Sequence, residues 1–234
     1  MNKFIIIGGG LTGLSCAVKL IQMEINPKNI EIFEARQEIG SPTRSPGVAF
    51  NTNNTSDLLN IIKIQPLTLM NNENNYLTFR REWLEKSILI YLTNAGCKIN
   101  LKSKITNTNL KKYFNKNYKI INCAGKKKKS SGFPADFNDF NQYEKELINF
   151  NFGKLVNWYG HHSIEKFETK INDFYLSINK KDELAEVWTI KEKIKPPKNG
   201  WIEKIKSEFP NNSKDILANN AIDRGYLLAN KAIE

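Results

Sequence analysis

Three closely spaced glycines are the residues of this sequence best suited to binding a phosphate. Gly8, Gly10 and Gly13 follow the pattern Gly-x-Gly-x-x-Gly, and Leu11 and Thr12 lie inside it. In this pattern the first glycine permits a tight turn, the second lets a pyrophosphate approach the backbone, and the third lets a helix pack against a strand. Backbone N–H groups at a helix start also attract anions. The motif therefore predicts a dinucleotide-binding turn.

An acidic residue at a suitable distance strengthens that prediction. Glu34 follows the glycines by about twenty residues, at a point where a carboxylate can accept hydrogen bonds from ribose hydroxyls. A carboxylate there disfavours a 2′-phosphate, so NADP is not expected in this site. A glycine-rich turn that binds no ligand is the alternative interpretation.

Two adjacent histidines are the candidates for acid–base chemistry. Neighbouring residues of an extended strand point to opposite faces, so one of His161 and His162 could face a substrate. A pair of surface histidines is the alternative. Nearby aromatic residues could line an apolar pocket or form part of the core; they are Trp158, Tyr159, Trp188 and Trp201. No third metal ligand lies close in sequence, so no metal site is predicted.

The glycine turn is placed between two predicted strands. Residues 3–7 form an apolar, β-rich run, residues 14–23 have a helical period, and residues 30–34 form a second apolar run. Strand, helix and strand within this length form a right-handed βαβ unit, which requires a parallel sheet. The predicted fold class is therefore α/β with a Rossmann-like layer.

The rest of the chain has less regular patterns. We predict a long ordered loop at residues 40–55, a short helix at 57–61, a helix at 81–94, and strands at 98–101 and 118–122. From residue 155 onwards, four alternating segments predict antiparallel strands, with a hairpin turn at residues 179–182. Two helices, at residues 201–209 and 213–233, are expected to complete the chain.

Composition places the chain among ordinary globular proteins and argues against several functions. Hydrophobic residues make up 40% of the 234 residues, and no apolar run reaches the length of a membrane span. The three cysteines are widely spaced, which predicts reduced and mostly buried thiols. The expected location is the cytoplasm.

The net charge of +11 raises the question of an anionic partner. Lysine and asparagine are both abundant, a composition typical of AT-rich coding sequence, so we do not favour nucleic acid as the partner. The lysine block at residues 126–129 leaves open a contact with phosphate or with a membrane surface, although such a run is more often a solvated loop.

Several segments together resemble one flavoprotein family. They are Ile-Gly-Gly-Gly at 7–10, Phe-Glu-Ala-Arg at 33–36 with the following residues 38–47, which together fit E-x-x-x-x-[IP]-G-x-P-x-R from Glu34 to Arg44, residues 81–88, which resemble R-x-x-[FL]-[DE]-x-x-L, and Ile-Ile-Asn-Cys-Ala-Gly at 120–125. The chain resembles the FAD-dependent oxidoreductases that include geranylgeranyl reductases and aromatic-ring hydroxylases. This resemblance implies a glutathione-reductase-type FAD-binding fold of reduced size.

The resemblance also implies residue roles. The ADP end of FAD would contact the glycine turn and Glu34, and the arginines would lie near its phosphates. The cofactor-binding residues implied in this way are Gly8, Gly10, Leu11, Thr12, Gly13, Glu34, Ala35, Arg36, Arg44, Arg81, Ala124 and Gly125. NAD(P)H is the implied candidate for a reductant.

The chain departs from the family at two points. No Gly-Asp pair follows Gly125, although the family normally has one that contacts the ribityl chain of the flavin. Residues 220–229 nevertheless resemble the far end of the helix that follows that motif. Ser45 stands where many of the reductases have a cysteine. The missing Gly-Asp pair removes part of the flavin end of the implied site and leaves its ADP end intact.

The sequence therefore predicts an FAD-binding layer with an inserted, smaller antiparallel β-sheet domain. The predicted domains are residues 1–130 with 213–234, and residues 131–212 as a substrate or cap domain. The predicted function is that of an FAD-dependent oxidoreductase, reductase-like or monooxygenase-like, acting on a small molecule, with an apolar one favoured. The alternatives are a non-catalytic FAD- or nucleotide-binding protein and a basic protein that binds RNA or a membrane surface. The sequence does not indicate an oligomeric state.

Overall fold

The computed structural model describes residues 3–63, 71–73, 76–105, 107–114, 116, 118–124, 147–148, 150, 154–180 and 182–234. Its α-helices are Leu11–Gln22 (α1), Asn53–Ile62 (α2), Arg81–Ala95 (α3), Asn107–Phe114 (α4) and Ala218–Ile233 (α5). Its strands are Phe4–Ile7 (β1), Ile30–Phe33 (β2), Val48–Phe50 (β3), Asn71–Glu73 (β4), Tyr76–Thr78 (β5), Lys98–Asn100 (β6), Lys119–Asn122 (β7), Leu155–Ser163 (β8), Lys170–Asn172 (β9), Tyr175–Asn179 (β10), Ala185–Thr189 (β11) and Glu203–Pro210 (β12).

The chain forms two compact units, each built from separate stretches. Unit 1 comprises Met1–Ser41, Ile88–Asn151 and Ile222–Glu234, and unit 2 comprises Pro42–Ser87 and Phe152–Ala221. The sequence analysis grouped residues 42–87 with the dinucleotide-binding layer instead. Their place in unit 2 follows from packing, because Val48 belongs to an apolar cluster otherwise formed by residues beyond 155.

Unit 1 contains a parallel four-stranded sheet in the order β6-β2-β1-β7. All four residues of β1 are buried, as an apolar strand between two parallel neighbours must be. A cluster that includes Ile5, Phe33, Leu110 and Ile120 forms part of its core. The predicted βαβ unit, and with it the α/β fold class, is confirmed.

The C-terminal helix returns to this unit, as the sequence analysis expected. Residues 222–233 of α5 belong to unit 1, and Gly225 packs so closely on α1 that a Cβ atom there would collide with the Thr12 carbonyl oxygen and lie 2.8 Å from the Cys16 nitrogen. The expected start at Ser213 was wrong. Ser213–Ile216 is a 3-10 helix capped by the Asn212 side chain, and α5 begins after it.

Unit 2 contains a five-stranded antiparallel sheet in the order β12-β8-β11-β10-β9 and a three-stranded sheet in the order β3-β5-β4. The predicted hairpin is confirmed, because β10 and β11 pair from Tyr175 with Thr189 to Asn179 with Ala185. Trp158 and Trp188 are completely buried in the core of this unit, so for these two residues the core interpretation is correct.

Two further sequence predictions of secondary structure were wrong. Residues 203–210 form β12 rather than part of a helix, because they pair with the whole of β8, from Glu203 with His162 to Pro210 with Leu155. Residues 40–55 contain β3 and the start of α2 rather than a loop alone. The Thr52 side chain caps α2 by accepting the Thr55 N–H, which starts the helix earlier than predicted.

None of the helices in the described part of the chain combines the length and the apolar character needed to cross a membrane. Within the same residues, no cluster of three or more His, Cys, Asp or Glu side chains could hold a metal ion. Cys16, Cys97 and Cys123 are free thiols, and the first two are buried. The lysine block at residues 126–129 lies outside the described residues.

Candidate dinucleotide-binding site

The glycine turn connects β1 to α1 and requires glycine at two positions for steric reasons. Gly8 has a φ of +101°, and a Cβ atom there would lie 2.9 Å from the Ala124 nitrogen. A Cβ atom on Gly13 would collide with the Gly8 carbonyl oxygen. The first and third glycines of the motif therefore allow the turn and the close packing of α1 against β1.

Gly10 differs because no steric conflict explains it. A Cβ atom there would have no heavy atom within 4 Å, and its φ of −77° is available to any residue. Gly10 is the N-cap of α1, and the first helical hydrogen bond runs from Leu14 N–H to its carbonyl oxygen at 3.0 Å. The N–H groups of the first turn, before Leu14, therefore make no hydrogen bond within the helix, and the space beside Gly10 is open.

The helix start carries no negative charge of its own. The first turn of α1 contains no acidic residue, and Gly10 has no side chain with which to cap it. The positive end of the helix dipole and the first N–H groups are thus left to an anion from outside the helix. The open space and these donors fit the pyrophosphate of a dinucleotide.

Glu34 is held beside this turn at the end of β2. It is only 6% exposed, and its Oε2 accepts the Gly9 N–H at 2.8 Å. Its carboxylate also accepts three hydrogen bonds from Arg36, from the backbone N–H at 2.9 Å, Nε at 3.0 Å and Nη2 at 3.3 Å. Burial alone would raise the pKa of Glu34, but Arg36 and the Gly9 N–H lower it below its ordinary value.

These four hydrogen bonds limit what Glu34 can bind. A carboxylate offers about four acceptor positions, so a ribose hydroxyl must share or displace a contact with Arg36. Backbone hydrogen bonds fix the chain at Glu34 and Arg36. Ser103 N–H donates to the Glu34 carbonyl oxygen and Lys102 N–H to the Arg36 carbonyl oxygen, both at 2.9 Å. The sequence alone did not predict that Arg36 pairs with the acid of the motif.

The end of β7 lies next to the turn. Cys123 N–H donates to the Ile7 carbonyl oxygen at 2.8 Å, and Ala124 is the residue that a side chain on Gly8 would strike. Unit 1 therefore brings the glycine turn together with Glu34, Arg36 and Ala124. Ala35 is exposed beside Glu34. Gly125 lies outside the described residues.

The two other predicted arginines belong to unit 2. Arg81 is buried at the start of α3, where its Nε donates to Glu85 Oε1 at 2.9 Å and its Nη1 to the Pro46 carbonyl oxygen at 3.5 Å. The Arg44 carbonyl oxygen accepts the hydroxyl of Ser207 at 2.6 Å. The neighbouring Arg80 pairs with Asp182.

His161 and His162 also lie in unit 2, on β8. His161 is 4% exposed and its ring lies 4.9 Å from that of Trp201. Burial, with the charge of Lys204, lowers the pKa of His161. A buried neutral histidine against an aromatic ring is a core feature, which weakens His161 as a proton donor.

His162 lies between two glutamates. Its Nδ1 is 3.1 Å from Glu203 Oε2 and its Nε2 is 3.5 Å from Glu186 Oε1. Burial would lower the pKa of His162, but the hydrogen bond and charge of Glu186 outweigh it and raise the pKa. His162 is therefore the better of the two candidates for carrying a proton.

Glu186 and Lys180 form a buried ion pair that sequence reasoning missed. Both are at most 7% exposed, and they are hydrogen-bonded to each other. Glu186 Oε2 also accepts the Gly47 N–H at 3.0 Å and the Trp188 Nε1–H at 3.2 Å. Burial raises the pKa of Glu186, but Lys180 and His162 lower it well below its usual range. Lys180 lies in the predicted hairpin turn and Glu186 on the strand after it, so that hairpin is the signal that could have connected them.

Comparison with known proteins agrees with this geometry. A family model for the NAD(P)-binding Rossmann-like domain matches residues 6–57, the segment that contains the turn and Glu34. No curated protein matches the sequence.

Solved structures extend the likeness to the whole chain. A geranylgeranyl bacteriochlorophyll reductase-like protein from Thermoplasma acidophilum matches with a TM-score of 0.59 and 13% identity, over 98% of this chain and 77% of that one. The p-nitrophenol 4-monooxygenase PnpA from Pseudomonas putida DLL-E4 matches with a TM-score of 0.60 and 11% identity, over 100% and 79%. A flavoprotein/dehydrogenase from Cytophaga hutchinsonii matches with a TM-score of 0.54 and 10% identity, over 99% and 79%.

At these identities the likeness shows the fold. The chain has the fold of geranylgeranyl reductase-like and aromatic-hydroxylase flavoproteins, as the sequence motifs indicated. Cofactor, reaction and substrate need arguments from the site itself.

Proposed function

We propose that unit 1 binds the ADP half of FAD and that the protein is an FAD-dependent oxidoreductase. The open space above Gly10, at the uncapped start of α1, carries this proposal. No neighbouring atom of the chain requires glycine at this position, so we explain it by a ligand that approaches the backbone closely. The names of the similar structures, which include a flavoprotein and a monooxygenase, favour FAD as that ligand.

In this proposal the N–H groups of Leu11, Thr12 and Gly13 bind the pyrophosphate. Glu34 binds the ribose, with Arg36 giving up part of its contact with the carboxylate. Because Glu34 keeps its negative charge, a 2′-phosphate would be repelled, and FAD or NAD fits better than NADP.

The remaining cofactor contacts are also proposals. Ala35, Ala124 and Gly125 would border the same ligand in unit 1, and Arg44 and Arg81 would interact with its phosphates. Arg81 already holds Glu85 and the Pro46 carbonyl oxygen, so a phosphate would compete with these two contacts. A guanidinium suits phosphate because it presents paired donors.

When bound, the flavin would supply the redox chemistry, and the chain would bind and orient it. NAD(P)H is the proposed reductant. We favour an apolar substrate, because residues 42–47 resemble the geranylgeranyl-reductase pattern more than the hydroxylase pattern. A polar aromatic substrate would instead need hydrogen-bonding residues such as His161, His162 and Tyr175.

Competition binding tests the cofactor assignment. The purified full-length chain should bind FAD, and ADP should displace it, because the proposed contacts are to the ADP half. FMN, which lacks that half, should not compete. Equal binding of FMN, or FAD binding that ADP leaves unchanged, would contradict the assigned site.

Two variants refine this test. Glu34→Gln should weaken FAD binding by about 1–2 kcal/mol, because it removes a charge-assisted acceptor. Arg36→Ala is the control, since it leaves the carboxylate in place and frees acceptor positions for the ribose. A loss of affinity in Arg36→Ala that matches the loss in Glu34→Gln would mean that Glu34 does not bind the ribose.

Anaerobic reduction tests the reaction. The FAD-loaded protein should be reduced by NADH or NADPH and re-oxidised by a member of a panel of polyprenyl and phenolic compounds. If neither nicotinamide nor any panel member changes the redox state of the flavin, the protein binds the nucleotide without catalysis.

A further inference from the structure

Two of the three cysteines are hydrogen-bonded to each other in unit 1. The Cys16 and Cys123 side chains share this hydrogen bond, and both thiols are free. Cys16 lies on α1 and Cys123 directly follows β7, so the contact joins two elements that are distant in sequence. Two thiols in contact are the arrangement from which a disulfide can form.

The two cysteines differ in their access to solvent. Cys16 is completely buried, whereas Cys123 is only half-buried. A small oxidant in solution therefore reaches Cys123 first, and Cys16 is placed to react second. Cysteines that respond to oxidants often combine an accessible thiol with a neighbouring thiol that resolves the oxidised form into a disulfide.

The hydrogen bond gives the two thiols different roles. Burial and the hydrogen bond to Cys123 both raise the pKa of Cys16. A hydrogen bond raises the pKa of a thiol when that thiol is the donor, so the Cys16 S–H donates to the Cys123 sulfur. Cys16 therefore keeps its proton, which is available when a leaving group needs one.

The backbone around Cys123 has little room to move. Its N–H donates to the Ile7 carbonyl oxygen at 2.8 Å, and a Cβ atom on Gly8 would lie 3.0 Å from its carbonyl carbon. On α1, a Cβ atom on Gly13 would collide with the Gly8 carbonyl oxygen. A disulfide brings two sulfurs to about 2 Å, closer than a hydrogen bond does, so its formation must shift α1 or the end of β7 against the glycine turn.

We propose that Cys16 and Cys123 are a redox-active pair, which hydrogen peroxide converts into a disulfide beside the glycine turn. Cys123 loses its proton, and its sulfur attacks one peroxide oxygen. The O–O bond breaks, Cys123 becomes a sulfenic acid, and the released hydroxide takes up the Cys123 proton as water. The Cys16 sulfur then displaces the hydroxyl group of the sulfenic acid, which leaves with the Cys16 proton as a second water. The two sulfurs lose two electrons, and the peroxide gains them.

Mass spectrometry of the full-length protein, without added FAD, tests the proposal. One equivalent of hydrogen peroxide should lower the intact mass by about 2 Da, the two hydrogens lost when a disulfide forms. Proteolysis without reductant should give a peptide pair linked through Cys16 and Cys123, and dithiothreitol should separate it. Absence of this linked pair, or a linkage through Cys97, would overturn the proposal.

Cysteine variants test the order of the two steps. Cys16→Ala should stop the reaction at the sulfenic acid of Cys123, which dimedone traps, and alanine suits a buried helical position. Cys123→Ser should leave Cys16 unoxidised because Cys16 is completely buried. Dimedone labelling of Cys123 that is equal in the native chain and in Cys16→Ala would show that Cys16 does not resolve the sulfenic acid.

Cys97→Ser is the matched control. Cys97 is also a buried free thiol, and its burial raises its pKa to about 11. It follows α3 and lies outside the hydrogen-bonded pair, so this variant should form the disulfide as the native chain does. Loss of the disulfide in Cys97→Ser would contradict the assignment to Cys16 and Cys123.

The disulfide should also weaken dinucleotide binding, an effect that rests on the proposed function. The oxidised protein should bind FAD at least about fivefold more weakly than the reduced protein, because the shift changes the packing around the glycine turn. Calorimetric titration of both forms measures this effect. If the reduced protein does not bind FAD, the proposed function fails, and the mass measurement still decides the cysteine pair. Equal FAD affinity of the two forms would overturn the coupling between the pair and the turn.

Discussion

In unit 1 the polar groups at the start of α1 face open space, whereas in unit 2 the buried charges satisfy one another. Gly10 has nothing within 4 Å of its missing side chain, and no acid or side-chain cap occupies the first turn of α1. In unit 2, Glu186 receives hydrogen bonds from Lys180, Trp188 and Gly47. The first arrangement leaves donors for a ligand, whereas in the second both carboxylate oxygens of Glu186 already accept hydrogen bonds.

This difference separates groups that bind from groups that hold the fold. A buried charge is stable only when hydrogen bonds and an opposite charge replace water, as they do around Glu186. A helix start without an acid or a cap is costly in isolation and becomes favourable when an anion arrives. Substitutions in unit 2 should therefore change stability, and substitutions at the glycine turn should change affinity.

The largest effect is expected from breaking the buried pair of unit 2. Lys180→Met leaves Glu186 without its cation and should lower the free energy of unfolding by about 3–5 kcal/mol. Urea denaturation of the full-length chain measures it. Lys180→Met/Glu186→Gln keeps an acceptor for Gly47 and Trp188 without the charge, so it should recover most of the loss. If the double variant is as unstable as the single one, the ion pair is not what Lys180 contributes.

A smaller effect is expected at Gly10, on FAD affinity rather than on stability. Gly10→Ser should weaken FAD binding at least tenfold, or by about 1.4 kcal/mol, because its side chain enters the open space and caps the N–H groups that the phosphate needs. The unfolding free energy without ligand should stay the same or rise, since serine is a good N-cap. Calorimetric titration and urea denaturation of the same sample measure both. Unchanged FAD affinity would contradict the placement of the pyrophosphate.

The smallest effect is expected in the pH dependence of the free energy of unfolding, through His162 of unit 2. The pKa of His162 is raised in the folded protein, so its contribution to stability is complete below its unfolded pKa of about 6.5. That contribution is lost as the pH rises through the higher folded pKa. Urea denaturation across this range should show stability falling with rising pH, and His162→Gln should flatten the profile. A profile that His162→Gln leaves unchanged would contradict the role of Glu186 and Glu203 in holding the proton.

Local patterns made unit 1 predictable. An apolar run, three spaced glycines and an acid lie within one short segment, so their positions in the fold follow from short-range structure. The side chain of Arg36 was less predictable, because its contact with Glu34 depends on how the chain turns after β2. The closeness of Ala124 to Gly8 could be expected only from the family resemblance.

Long-range pairing made unit 2 difficult to predict. The segment that forms β12 was predicted as a helix, because its partner β8 is far away in sequence and eight paired positions outweigh a local preference. Likewise, β3 contains only three residues and becomes a strand by pairing with β5. The Lys180–Glu186 pair lies on the hairpin that the sequence did predict, but no local pattern indicated that both charged side chains would be buried.

The interleaving of the two units has a consequence for the order of folding on the ribosome. β1 lies between β2 and β7, and the helical residues that pack on α1 begin at Ile222, after both segments of unit 2. The nascent chain therefore lacks β7, the second neighbour of β1, until the first stretch of unit 2 has been made, and it lacks the helical residues that pack on α1 until the second stretch has also been made. Closing such distant contacts is slow, and an exposed apolar strand is prone to aggregate in the meantime. Chaperones that bind extended apolar segments would have an opportunity at residues 4–7 until β7 is made.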